Sequence, residues 1–126
     1  MSAAVDRGRI EAVCGGDEGL AVELIGMLVD DAAPIVDALG ACVKSNDVAQ
    51  ANELAHSLKG IAGNVGAGEL CDAAARLQTA TAPDAAAAGT ELAEEHAAIA
   101  AALDRVRCTL RSWEARLAAH TGIFVP

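Results

Sequence analysis

The chain has 126 residues, enough for one domain, with a formal net charge of −9 and 53% hydrophobic but only 2% aromatic residues. Its acidity (sequence pI ≈ 4.6) excludes a nucleic-acid footprint, which needs clustered Lys and Arg to neutralise phosphates, and points to a protein partner instead. Alanine dominates the apolar residues; it is the best helix former, while the β-branched and aromatic residues that sheets favour are sparse, so a single all-α domain of closely packed helices is expected over residues 1–126.

Residues 4–14 read as a short helix ending at Gly15 and Gly16, after which Asp17 caps the next helix and Glu18 sits in its first turn. The second helix is expected over about 18–44, with Leu20, Leu24, Leu28, Ile35, Leu39 and Val43 buried and Pro34 kinking or dividing it. Ser45, Asn46 and Asp47 make a turn, and Asp47 followed by Gln50 is close to a capping box for a third helix running to about Asn64. Gly66 and Gly68 mark a tight reversal into a fourth helix, about 67–80, with Leu70, Ala74 and Leu77 on one stripe. Residues 81–89 form a connection whose alanines beyond Pro83 are candidates for the start of the next helix.

The last helix is the most regular: Leu92, His96, Ile99, Leu103, Val106, Leu110, Trp113 and Leu117 alternate steps of four and three. That seam spans roughly 38 Å against about 27 Å for the third helix, so it overhangs the bundle at one end. The overhang is left to either the short first helix or a second copy of the chain. Short loops imply antiparallel neighbours, so the expected architecture is an antiparallel four-helix bundle over about 17–117, with an additional short N-terminal helix and a long C-terminal helix. Cys14, Cys42, Cys71 and Cys108 contain no CxxC pair and read as reduced, mostly buried thiols. With no run of 18 apolar residues and a polar start (Asp6, Arg7, Arg9, Glu11), a cytoplasmic protein that does not enter membranes is expected.

The informative stretch is residues 55–70, AHSLKGIAGNVGAGEL. On a helical wheel Leu58, Ile61 and Val65 fall within about 40° of Leu54, while His56 lies about 200° away and faces solvent. Its neighbours on that face are Asn52 one turn before, Lys59 and Gly60 one turn after, and Gly63 farther along. Glycine inside a helix costs about 1 kcal/mol against alanine, so two glycines beside one exposed histidine suggest room for a partner surface. The alternative for Gly63 is close helix packing. Asn64 reads either as a helix terminator or as part of the docking face.

A neutral imidazole is a nucleophile that needs no general base. Lys59, the single basic residue between Lys44 and Arg76, can reach a phosphoryl group placed on the ring. No acidic cluster marks a metal site on this face, so no cofactor or metal is expected to be intrinsic, and the divalent ion that phosphoryl transfer needs, Mg, has to come from the partner. Gln78 lies twelve residues after Gly66 and His56 ten before it, so two antiparallel helices place them at similar heights, with the Gln78 amide able to hydrogen-bond the imidazole or a phosphoryl oxygen.

The run His56, Ser57, Leu58, Lys59, Gly60, with Asn64, Gly66 and Leu70, resembles the signature of the histidine-containing phosphotransfer family. The resemblance covers about 17–117 in helix order and is detailed only over 55–70 and at Gln78. It implies a four-helix bundle with an exposed phosphoacceptor histidine, His56, exchanging phosphoryl groups with receiver-domain aspartates. Lys59 would contact the phosphate, Gly60 would permit close approach, and Gln78 stands where many members place a glutamine near the histidine. The alanine-rich core is a departure in composition.

The resulting expectation is a phosphorelay intermediate, not an autonomous enzyme, since no P-loop or glycine-rich nucleotide fingerprint occurs. Its expected partners are a response-regulator receiver domain and a sensor or hybrid histidine kinase, docking on a face that includes Asn52, Gly63 and Asn64. A monomer is expected, with dimerisation through the last helix as the alternative. The competing reading is a helical interaction or dimerisation module in which His56 is incidental. His96 and His120 read as packed or end-of-bundle residues, and Glu91, Glu94, Glu95 and Asp104 as a solvated helix face.

Overall fold

A computed structural model describes residues 4–83 and 89–121, the side chains of residues 13, 90, 120 and 121 excepted. The described residues form five helices: α1 (Arg7–Cys14), α2 (Glu18–Ser45), α3 (Val48–Asn64), α4 (Gly68–Ala80) and α5 (Gly89–Thr121). Three starts share one device. Asp6, Asp17 and Asp47 each turn a carboxylate back onto the amide three residues on, at Arg9, Leu20 and Gln50, filling a donor that the first turn leaves without a partner. The exits of α1 and α2 are made by left-handed residues, Gly15 (φ 60°) and Asn46 (φ 53°).

The helices α2 to α5 form an antiparallel four-helix bundle in which α3 packs between α2 and α4, and α5 between α4 and α2. α2 is one helix through Pro34 rather than two. The ring is exposed, and the carbonyl it leaves without a helical partner belongs to exposed Asp30, where water can take the place of the missing N–H.

The buried face of α2 is rotated from the expected one. Its core residues are Ala21, Ile25, Leu28, Ala32, Val36, Leu39 and Cys42, while Leu24, Ile35 and Val43 flank the seam and Leu20 is 38% exposed. The same holds for α3, where Ala51, Ala55, Leu58 and Ala62 are buried and Leu54, Ile61 and Val65 only partly so. The physical reason is common to both: helices approach most closely through alanine, so alanines take the centre of the interface and longer side chains close its edges. In α4, Leu70, Ala74 and Leu77 are buried as expected, joined by Ala73; in α5, Leu92, Ile99, Leu103 and Val106 are buried, and Leu110 and Trp113 partly.

At the overhanging end α1 packs on the start of α2 and reaches α5 through one side chain. Val5, Ile10 and Cys14 are buried there, and the Arg7 guanidinium lies 5.3 Å from the centre of the Trp113 ring. The segment is tied to the α3–α4 turn through Gly66. This residue has φ +75°, its carbonyl accepts from Asp6 N at 2.7 Å, and a Cβ on it would stand 2.8 Å from the Arg9 side chain. Only glycine satisfies both conditions. Ion pairs Arg76–Glu95 and Arg105–Glu69 link α4 to α5 along the outside. The expected onset of helix beyond Pro83 falls on residues 84–88, outside the described residues.

Candidate functional site

His56 sits in the middle of α3, exposed, about 130° from the centre of the buried alanine face and at the edge facing α4. Gln78, half-buried near the end of α4, brings its side-chain Nε2 to 3.0 Å from the His56 Nδ1 atom. The match in height expected from counting residues about Gly66 is thus met by a direct contact. Among the described residues the other ring nitrogen, Nε2 of His56, has no hydrogen-bond partner.

The partner of Gln78 decides what the ring can do. A neutral imidazole carries one proton, and the nitrogen that attacks an electrophile must keep its lone pair. If the glutamine amide donates, Nδ1 is the acceptor and Nε2 carries the hydrogen. If the amide turns over and its Oε1 accepts, Nδ1 holds the hydrogen and Nε2 is the free nucleophile. The two amide orientations occupy nearly the same space, so Gln78 can serve either tautomer.

Lys59, one turn beyond His56, is exposed, and among the described residues its ammonium has no ion-pair partner. Glu53 and Lys59 are the charged residues of α3 within one turn of His56. They balance, so the face is not itself a strong anion site. Gly60 is exposed, and a Cβ there would meet nothing within 4 Å; the absent side chain leaves open surface. Gly63 differs, since a Cβ there would touch Cys71 Sγ at 3.6 Å, so this glycine lies at the seam with α4. The Cys71 thiol donates in turn to Lys59 O at 3.5 Å. Asn64 is the last residue of α3 and is exposed.

Asn52 departs from the expected exposed position. It is half-buried, with its amide donating to Gln78 O at 2.9 Å and to Thr81 Oγ1 at 3.1 Å. The cause is the rotation of α3 onto its alanine face, which turns Asn52 toward α4. Thr81, 3% exposed, is the residue that sequence reasoning missed. It was hidden in a stretch read as a connection, although a hydroxyl directly after a helix end is a recognisable way to serve its last carbonyls.

His96 packs as expected, half-buried with its Nε2 at 3.0 Å from Val36 O, in a space that Gly40 leaves for the ring. The His120 side chain lies outside the described residues. Of the acidic face, Glu91, Glu94 and Asp104 are exposed, whereas Glu95 is half-buried against Arg76. Of the cysteines, Cys14 and Cys42 are buried, Cys71 is half-buried and Cys108 is exposed, so the thiols are less uniformly buried than expected. Burial, with a smaller contribution from the nearby Asp47 carboxylate, pushes the Cys42 thiol pKa above its ordinary value.

A groove of about 320 Å³ lies between α1, the start of α2 and the last turns of α5, but none of the residues lining it belongs to α3 or α4. Among the described residues there is no group of three or more His, Cys, Asp and Glu that could hold a metal ion, and no helix is long and apolar enough to cross a membrane.

Comparison with known proteins agrees with this geometry. The fold matches that of histidine-containing phosphotransfer protein B (HptB) from Pseudomonas aeruginosa PAO1, with a TM-score of 0.77 over 92% of this chain and 98% of that one at 19% sequence identity; at that identity the likeness speaks to fold. No curated protein matches the sequence. The family model described as the Hpt domain matches residues 23–108, which include α3, α4 and most of α2. This chain therefore belongs to the Hpt domain family, the phosphocarrier modules that pass phosphoryl groups through histidine between the kinases and receiver domains of two-component phosphorelays, and a purely structural helical module is not favoured.

Proposed function

We propose that His56 is the phosphoryl acceptor of this domain and that its Nε2 atom is the nucleophile. The observation that carries the reading is the asymmetry of the ring: Nδ1 is held by Gln78 at 3.0 Å, while Nε2 is left without a partner among the described residues. In the productive tautomer Nδ1–H donates to Gln78 Oε1 and the Nε2 lone pair attacks the phosphorus of a receiver's aspartyl phosphate. An N–P bond forms, the P–O bond to the aspartate breaks, and the carboxylate leaves with the electron pair. No proton has to move at the reacting nitrogen, which accounts for a site without a general base. The reverse step regenerates the neutral ring.

Lys59 stabilises the charge on the transferring phosphoryl oxygens, and Gly60 lets the receiver surface come close. Gly63 and Asn64 extend the docking face toward the end of α3. The chain supplies no metal to this step; Mg held by the receiver supplies the remaining positive charge at the phosphoryl oxygens. With no nucleotide fingerprint in the sequence, the phosphoryl group comes from another protein, in the cytoplasm where receiver and kinase domains meet. Arg7 of α1 lies over Trp113 at the overhanging end of the α5 seam, which supports a monomer.

The test is incubation with a panel of phosphorylated receiver domains and magnesium. Label should appear on the wild-type chain and be absent from His56→Gln. Labelling of both alike would remove His56 from the reaction.

A further inference from the structure

Gln78 sits two residues before the end of α4, where the last four carbonyls of a helix have no partner within it. Its own carbonyl takes its shorter hydrogen bond from another helix. One hydrogen of the Asn52 amide goes to Gln78 O at 2.9 Å and the other to Thr81 Oγ1 at 3.1 Å. Buried Thr81 donates its hydroxyl to Leu77 O at 2.7 Å, with Gln78 O a second acceptor at 3.3 Å, and its backbone N–H reaches Leu77 O at 3.0 Å. Because a backbone carbonyl can only accept, the orientation of the Asn52 amide is fixed by its partner.

These bonds make a closed path. Asn52 lies one turn before His56 on α3, so α3 holds Gln78 twice: by its carbonyl through Asn52 and by its side chain through His56. Terminal turns of helices fray, and a glutamine amide has three side-chain torsions to lose on binding a ring. The Asn52 bond removes the first freedom and leaves the amide in reach of Nδ1.

We infer that Asn52, anchored on Thr81, is a positioning residue for phosphotransfer, capping α4 from α3 so that the Gln78 amide stays in register with the His56 imidazole. Its effect on transfer rests on His56 being the acceptor, whereas its effect on the ring does not. Among the described residues Asn52 makes no hydrogen bond to the imidazole, so its influence passes through Gln78 and must vanish when Gln78 is removed.

The experiment follows the ¹⁵N signals of the His56 ring against pH in the unphosphorylated full chain, and transfer from a phosphorylated receiver, for wild type, Asn52→Ala, Gln78→Ala and the double variant. Asn52→Ala should move the ring signals to those of Gln78→Ala. Each single variant should slow transfer roughly tenfold, the equivalent of one lost hydrogen bond, and the double variant no further. Thr81→Ser, which keeps the hydroxyl, should behave as wild type, and Thr81→Val should follow Asn52→Ala. Circular dichroism checks folding; if Asn52→Ala loses its helices, Asn52→Asp, which keeps the size but not the donors, and Thr81→Val decide the matter. Ring signals unchanged in the folded variants, or transfer losses that add in the double variant, would overturn the inference. If even the wild-type chain takes no label, the acceptor reading fails while the ring signals still judge Asn52.

Discussion

The side-chain amide of Gln78 and the Nδ1 atom of His56 are 3.0 Å apart, although 22 positions separate the two residues in the chain. The contact makes one ring nitrogen different from the other, and that difference is what a nucleophilic imidazole needs. Gln78→Ala should therefore lower the transfer rate roughly tenfold, the weight of one hydrogen bond, without loss of helicity. Gln78→Glu is the sharper variant. A carboxylate accepts from Nδ1–H but also favours the imidazolium, so the acid limb of the transfer-versus-pH profile should move to higher pH. A profile that does not move would mean that the residue at position 78 does not reach the ring in solution.

Gly60 separates access from stability. Nothing lies within 4 Å of a Cβ built there, so a larger side chain fits the isolated domain. Gly60→Leu should raise stability by about 0.5–1 kcal/mol through helix propensity. The same bulk stands one turn from His56 and should slow transfer at least as much as Gln78→Ala. Thermal unfolding and transfer kinetics on one preparation check both halves, and equal transfer rates would contradict the docking role of the glycine.

Gly66 and Gly63 are three residues apart and should respond in opposite ways to alanine. At Gly66 the left-handed φ of +75° and the 2.8 Å approach to Arg9 both oppose a Cβ, so Gly66→Ala should destabilise by about 1–3 kcal/mol. It should also loosen α1, which Trp113 emission reports because Arg7 stands over that ring. Gly63→Ala meets Cys71 at an ordinary 3.6 Å and should be neutral or slightly stabilising. A shared loss of stability would show that the α3–α4 turn is not held as described.

What the sequence made legible is what local chemistry decides. Asp17 and Asp47 were readable as caps because the cap and its amide lie three residues apart, and the similar heights of His56 and Gln78 followed from counting along two helices joined at Gly66, though the contact itself did not. The buried face of α2 was misjudged because the reading weighted Leu20, Leu24 and Ile35, whereas Ala21 and Ala32 take the closest approach between helices. An alanine stripe has little contrast against an alanine-rich background. The same error placed Asn52 in solvent. Thr81 and the contact of Gly66 with Arg9 depend on which segments meet in space, and no local pattern announces them.

Cys42 gives the fold a pH dependence at alkaline pH. The folded thiol holds its proton more tightly than in the unfolded chain, because burial and Asp47 both disfavour the thiolate. Its folded pKa is raised, so stability is unaffected below the unfolded value, about 8.5, and falls as pH rises from there through the folded value. Denaturant unfolding of wild type and Cys42→Ala between neutral pH and pH of about 10 should show a steeper decline for wild type. Parallel declines would place the effect elsewhere.

The central claim is that the phosphoryl group resides on His56, and tandem mass spectrometry of the chain phosphorylated by a receiver, kept at neutral to alkaline pH to preserve the N–P bond, tests it most directly. The account predicts the modification on His56, with His96 and His120 unmodified. A phosphoryl group on either of those histidines, or on His96 in the His56→Gln variant at wild-type yield, would contradict it.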